Sequence, residues 1–83
     1  MSEYRKPKPV QPEHQKDLES IGLKLKELRT KKGVSASELS EEIKISRNSY
    51  GQMEKGMIYF STQNFLRLLD YHEISIKTFF AEL

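Results

Sequence analysis

Apolar residues recur every three or four positions from residue 18 to the C-terminus, and short polar breaks divide this pattern into five segments. Such spacing places the apolar side chains of a segment on one face of an α-helix. The apolar stripe of the first segment predicts a helix that begins near Asp17 and ends at about Lys32, before a left-handed cap at Gly33. Gly22 inside it is interpreted as a site of close helix packing. The stripe consists of Leu18, Ile21, Leu25 and Leu28.

Residues 33–56 predict two short helices joined by a tight turn. Ser35 and Glu38 have the spacing of a capping box, in which each side chain accepts a hydrogen bond from the other residue's backbone N–H. Ser46 is a suitable N-cap for the second helix. Two apolar pairs around such a turn are typical of a helix-turn-helix, whose second helix enters the DNA major groove. The pairs are Leu39 with Ile43 and Tyr50 with Met53.

The remaining chain predicts two more helices, which gives an all-α fold of five helices. Ser61 and Ser75 are the N-caps of the fourth and fifth helices. The apolar residues of the fourth helix are Phe65, Leu66, Leu68 and Leu69, and those of the fifth are Ile76, Phe79, Phe80 and Leu83.

The whole pattern resembles the lambda-repressor/Cro-type helix-turn-helix family. From Ala36 onward the apolar positions follow the family's spacing, and the small Ser40 lies where two helices cross closely. The resemblance extends over roughly residues 18–83 and implies a five-helix, lambda-repressor-like DNA-binding domain at residues 17–83. The apolar positions are Leu39, Ile43, Ile45, Tyr50 and Met53.

By this resemblance, the base-reading positions are Arg47, Asn48, Ser49 and Gln52. Their chemistry agrees, because arginine binds guanine and asparagine or glutamine bind adenine through two hydrogen bonds each. A merely solvated helix face is the alternative. From the attraction of helix N-termini and nearby polar groups for phosphate, we expect phosphate contacts at Ser35, Ser37, Lys55, Gln63 and Asn64, with Lys24 or Lys31 as further candidates.

The last helix carries two adjacent phenylalanines, which point about 100° apart and so cannot be buried by one face. The resemblance places Phe80 in the core. We therefore expect Phe79 and Leu83 to form an exposed patch, which in so small a domain favours a symmetric dimer. Packing of this patch against the N-terminal tail is the alternative.

Four residues depart from the family pattern. Lys44 and Glu73 stand where glycines are usual, so we expect side chains at positive φ angles there. Ala36 replaces a frequent glutamine, and Gly51 lowers the helix propensity of the recognition helix. These departures affect the expected DNA affinity more than the fold.

Composition and charge exclude several classes of protein and of binding site. The chain of 83 residues is long enough for one domain, and it contains no cysteine, no membrane-length apolar run and no apolar signal core. We therefore expect a cytoplasmic protein without disulfides. The two histidines, His14 and His72, are too far apart in sequence to indicate a metal site, and no cofactor is predicted. The net charge of +2 is small, but residues 24–32 are basic, which favours a DNA-facing side.

Residues 1–16 contain all three prolines and predict a flexible N-terminal arm. Arg5, Lys6 and Lys8 would allow this arm to bind DNA, and a solubilising tail is the alternative.

We therefore predict a sequence-specific regulator of transcription, acting as a repressor, that binds double-stranded DNA as a homodimer. Its half-sites would lie about 34 Å apart. The alternative is a protein-interaction module of the same fold, such as an antitoxin or anti-repressor partner, with weak or no DNA binding. An enzyme is not expected, because the sequence has no cysteine, paired histidines or glycine-rich phosphate loop.

Overall fold

A computed structural model of the chain describes residues 9–83, which form five α-helices and no strand. This confirms the predicted all-α fold. The helices are α1 (Pro12–Lys32), α2 (Ala36–Glu42), α3 (Arg47–Glu54), α4 (Thr62–His72) and α5 (Ile76–Ala81).

A serine begins each of the last four helices, as the sequence predicts. In every case the serine hydroxyl accepts a hydrogen bond at 3.0 Å from the backbone N–H three residues later. At α2 the capping box is complete, because the Ser35 N–H also donates to the Glu38 carboxylate at 2.9 Å. These bonds satisfy backbone donors that a helix start leaves without partners. The N-caps are Ser35, Ser46, Ser61 and Ser75.

The first four helices are each followed by a residue with a left-handed backbone. The next residue's N–H then donates to the carbonyl five positions back, which is the Schellman arrangement. Glycine fills two of the four left-handed positions. Lys44 and Glu73 fill the others, with φ angles of 59° and 55°, as predicted from the missing glycines. An L-residue in this conformation costs roughly 1–2 kcal/mol.

We predict that Glu73→Gly raises the free energy of unfolding by about 1 kcal/mol, because glycine adopts the left-handed conformation without strain. Urea denaturation of the two proteins measures this difference. Glu41→Gly, inside α2, is the matched control and should lower the free energy of unfolding by about 1 kcal/mol. A loss of stability in Glu73→Gly would show that the side chain forms contacts stronger than the backbone strain.

The centre of the fold is α3, whose Tyr50 and Met53 side chains are almost completely buried. Both α1 and α2 pack against this helix, while α4 packs against α5. All five apolar positions of the predicted helix-turn-helix are buried. The core consists of Leu25, Leu39, Ile43, Ile45, Tyr50, Met53, Phe65, Leu68, Leu69 and Phe79.

Helix α1 crosses close to the backbone of α3 at Gly22, which is itself buried. A Cβ atom at this position would lie 2.4 Å from the carbonyl oxygens of both Met53 and Glu54. The two backbones can approach this closely only because position 22 has no side chain. The prediction that Gly22 serves close packing is therefore confirmed.

Helix α1 begins at Pro12, five residues before the predicted start at Asp17. Proline is well suited to the first turn of a helix, where its missing N–H would have no partner. The loop after α3 also holds this turn, since the Tyr59 hydroxyl accepts a hydrogen bond from the Gln11 N–H at 3.1 Å. Residues 12–16 are thus helical, although an arm was predicted for residues 1–16. Arg5, Lys6 and Lys8 lie outside the described residues.

In α5 the predicted roles of the two phenylalanines are reversed. Phe79 is completely buried, and its ring meets the Phe65 ring edge-on with centroids 5.2 Å apart. Phe80 is 45% exposed, and Leu83 is exposed as predicted. The packing of α5 against α4 turns position 79 toward Phe65. The assignment of Phe79 to an exposed dimer patch is therefore wrong for the isolated subunit.

Candidate nucleic-acid interface

The polar side of α3 lies opposite the residues that anchor it. Arg47 and Asn48, in its first turn, are exposed, whereas Tyr50 and Met53 are buried. Ser49 and Gln52 are half-buried. The four predicted base-reading residues thus occupy the first two turns of one helix. Arg47, which can bind guanine, and Asn48, which can bind adenine, are open to solvent. Their contacts with DNA remain a prediction.

A largely buried ion pair holds the C-terminal end of α3 in place. At the C-terminal end, the Arg29 guanidinium donates from Nε to Glu54 Oε2 at 2.7 Å and from Nη2 to Glu54 Oε1 at 3.2 Å. Its Nη1 also donates to the Val34 carbonyl at 3.0 Å. The Glu54 carboxylate raises the pKa of Arg29. Because both side chains are largely buried, loss of either would leave the other charge without its partner.

The turn before α3 is fastened to α4. The Arg67 guanidinium donates a hydrogen bond to the Ile43 carbonyl, which belongs to the C-terminal end of α2. The next residue, Lys44, has the left-handed backbone. Arg67 thereby satisfies a helix-end carbonyl that would otherwise need water. Neither Arg67 nor the pair of Arg29 and Glu54 was predicted to hold the recognition helix, since each contact joins residues at least 24 positions apart.

The predicted phosphate-binding residues lie at helix ends. Ser35 is already engaged in the capping box, where its N–H lowers the pKa of the Glu38 carboxyl. Ser37 is exposed in the first turn of α2, and Lys55 is exposed at the end of α3. Gln63 is exposed and Asn64 half-exposed in the first turn of α4, whose free N–H groups favour anions. Their roles also remain predictions.

Three of the five cations in the basic run at residues 24–32 form contacts within the fold. Arg29 is committed to Glu54, and Lys24 lies between the carboxylates of Glu27 and Glu82. These carboxylates, chiefly Glu82, raise the pKa of Lys24. Lys32 lies over the Tyr71 ring, with its ammonium 4.9 Å from the ring centroid. These three cations form contacts within the fold, and a phosphate-binding role of the run stays a prediction.

Within residues 9–83, no group of three or more histidine, cysteine, aspartate or glutamate residues is arranged to hold a metal ion. His14 contacts Tyr59, and His72 contacts Tyr71. Burial lowers the pKa of His72, and the nearby Lys32 lowers it further. Burial also raises the pKa of Tyr50.

One contact joins the predicted base-reading and phosphate-binding residues. Arg47 Nη1 lies 3.4 Å from Ser37 Oγ and donates a long hydrogen bond to it. This connects the first residue of α3 to the first turn of α2. The sequence contains no signal for this contact, because side-chain direction at the surface of two crossing helices does not follow from helical spacing.

Comparisons with known proteins agree with this geometry. A helix-turn-helix family model matches residues 25–79. The crystal structure of the restriction-modification controller protein C.AhdI from Aeromonas hydrophila is similar, with a TM-score of 0.72 and 33% sequence identity. The match covers 77% of this chain and 97% of that chain. No curated protein sequence matches significantly. Within the described part of the chain, no helix has the length and apolar character needed to cross a membrane.

Proposed function

The chain belongs to the Cro/C1-type helix-turn-helix family of DNA-binding transcription regulators, which are not enzymes, and from this premise we propose that it is a repressor. It binds a two-fold operator in double-stranded DNA as a homodimer. The first turn of α3 enters the major groove of each half-site, with half-sites about 34 Å apart. Bound at a promoter, such a dimer represses by excluding RNA polymerase.

The exposure of α3 is the single observation that carries this proposal. Arg47 and Asn48 are exposed in the first turn of α3, and the opposite side of the same helix is buried in the core. Two buried side chains fix the rotation of α3, so the backbone positions from which Arg47 and Asn48 project are fixed with it. This is the pre-organisation that base recognition requires.

The similarity to C.AhdI supports a setting for this activity. That protein is described as a restriction-modification controller, and the match covers nearly its entire length. We propose that the present chain likewise regulates transcription of genes in a restriction-modification system. The proposal predicts that its operator lies upstream of such genes.

The surface proposed for dimerisation is an apolar stripe on and after α5. Ile76 and Phe80 are four residues apart, Leu83 follows three residues later, and all three side chains are about half exposed. One side of the Phe80 ring packs against Phe65, with centroids 5.7 Å apart, and the rest of the ring is exposed. An exposed stripe of this kind on a small domain suits a self-complementary interface. Phe80 thus takes the role first assigned to Phe79, together with Leu83.

We predict that Phe80→Glu weakens dimerisation by roughly 100-fold, because a two-fold interface places both substituted residues in the same apolar contact. Sedimentation equilibrium measures the change. Met57→Arg is the matched control, since Met57 is 55% exposed but lies outside the stripe. An unchanged dimer in Phe80→Glu would place the interface elsewhere.

Selection from a pool of random DNA duplexes tests the function itself. At moderate salt, the protein is expected to recover a two-fold symmetric site, and its affinity should fall steeply as salt rises, because bound phosphates release counterions. If the folded protein recovers no site, the result supports the alternative of a protein-interaction module instead. Binding through an apolar protein interface would show little salt dependence.

A further inference from the structure

Arg47 is poorly placed for stability but well placed for recognition. It is the first residue of α3, where the positive end of the helix dipole disfavours a cation. Among residues 9–83, the ion pairs do not include Arg47. An exposed arginine also samples many side-chain conformations, and it loses this freedom when it binds a base. A contact that restricts Arg47 before binding would reduce that loss.

Ser37 is the side chain that restricts it. Ala36, the first residue of α2, has no polar group in its side chain, so Ser37 is the first residue of α2 that can bind the guanidinium. Its hydroxyl oxygen accepts a hydrogen bond from Arg47 Nη1 at 3.4 Å. The backbone around Ser37 is itself fixed, because its carbonyl accepts a hydrogen bond from the Ser40 hydroxyl at 3.0 Å and the capping box closes the same turn.

A serine hydroxyl can accept one hydrogen bond and donate another at the same time. While Ser37 Oγ accepts from Arg47, its proton is available to a phosphate oxygen. Ser37 lies in the first turn of α2, where backbone N–H groups without helical partners also favour a phosphate. One hydroxyl can therefore connect the DNA backbone to the side chain that contacts a base.

We infer that Ser37 is a positioning residue that holds Arg47 in the orientation needed to recognise guanine, so that it contributes to sequence specificity as well as to phosphate binding. This inference rests on the proposed function. A residue that only bound phosphate would strengthen binding to every sequence equally. A residue that positions Arg47 strengthens binding only where the guanine is present.

A double-mutant cycle on DNA binding separates the two roles. The duplexes are the operator selected from the random pool and the same operator with the guanine recognised by Arg47 replaced in both half-sites. The discrimination ratio is the affinity for the first divided by the affinity for the second. Ser37→Ala is expected to lower this ratio by roughly fivefold or more in the wild-type background and to leave it unchanged in the Arg47→Ala background.

Two further variants act as controls. Ser37→Thr keeps the hydroxyl and should restore most of the discrimination ratio. Ser20→Ala removes an exposed hydroxyl from α1 and should not change the ratio. Thermal denaturation of Ser37→Ala should match wild type, because the contact is exposed and long.

Three outcomes would overturn the inference. If Ser37→Ala weakens binding to both duplexes by the same factor, Ser37 acts through phosphate alone. If Arg47→Ala leaves the selected site unchanged, Arg47 is not the residue being positioned. If the wild-type protein selects no sequence at all, the proposed function fails together with this inference, whereas the first two outcomes leave sequence-specific binding intact.

Discussion

Gly22→Ala is expected to lower the free energy of unfolding by about 3 kcal/mol, even though alanine favours a helix more than glycine does. The added methyl group would lie 2.4 Å from two carbonyl oxygens of α3, far inside contact distance. These oxygens belong to backbone and cannot turn away as a side chain can. The helices α1 and α3 must therefore separate, and packing around Leu25 and Met53 is lost with them.

Gly51→Ala provides the matched control for this substitution. Gly51 also lies inside a helix, but a Cβ atom there would have no atom within 4 Å. Alanine should therefore raise the free energy of unfolding by about 0.5–1 kcal/mol. Urea denaturation of both variants gives the two values. Equal stability of Gly22→Ala and wild type would contradict the close crossing of α1 and α3.

An effect of this size is large for such a domain. Domains of this length bury a comparatively small share of their surface, and their free energy of unfolding lies toward the low end of 5–15 kcal/mol. A loss of about 3 kcal/mol from about 5 kcal/mol leaves about 2 kcal/mol, which corresponds to roughly 3% unfolded protein at about 25 °C. Dimerisation and DNA binding would recover part of the folded population, because both act on the folded state alone.

The helices could be predicted from the sequence because their ends are specified locally. Ser46 and Ser61 lie at the starts of apolar stripes, and Gly33 lies at the end of one. Even Lys44 and Glu73 were predicted to have positive φ angles, since each stands where the resembled family usually has a glycine. Capping and helical spacing involve residues within five positions of one another, so a single chain contains the whole signal.

The errors concern contacts between residues distant in sequence. The early start of α1 depends on Tyr59, which lies 48 positions after Gln11. Arg29 was predicted to lie on a basic surface, but in the structure it pairs with Glu54, which lies 25 positions later in the sequence. Neither contact has a periodic pattern from which it could be predicted.

The reversal of Phe79 and Phe80 has another cause. Helical spacing shows that one of two adjacent aromatic residues must face the core, but only the rotation of α5 against α4 decides which one. The same limit applies to the candidate site. Resemblance could place Arg47 and Asn48 at the start of the recognition helix, but the hydrogen bond from Arg47 to Ser37 required the structure.

Arg47→Ala is expected to remove recognition of one base pair in each half-site without unfolding the protein. A bidentate contact between arginine and guanine contributes roughly 1–3 kcal/mol of discrimination, and a two-fold operator contains two such contacts. Affinity for the selected operator should therefore fall by roughly 10- to 100-fold per half-site, while affinity for unrelated DNA changes little. Fluorescence anisotropy with labelled duplexes measures both affinities at one salt concentration.

The fold should not depend on this arginine. Its charge is disfavoured at the N-terminus of α3, and its contact to Ser37 is exposed, so the variant should be as stable as wild type or more stable by about 0.3–1 kcal/mol. Thermal denaturation measured beside the binding experiment distinguishes a lost contact from a lost fold. Reduced stability would mean that Arg47 supports the helix-turn-helix itself.

Lys55→Ala is the control that separates base recognition from general attraction to DNA. Lys55 is exposed at the end of α3 and is proposed to bind phosphate, which carries no sequence information. Its loss should weaken binding to all duplexes by a similar factor and reduce the salt slope by about 1. Arg47→Ala should instead change the preferred sequence, with a smaller effect on the slope. If the two variants behave alike, Arg47 contacts the DNA backbone, and base recognition falls to Asn48 and Gln52.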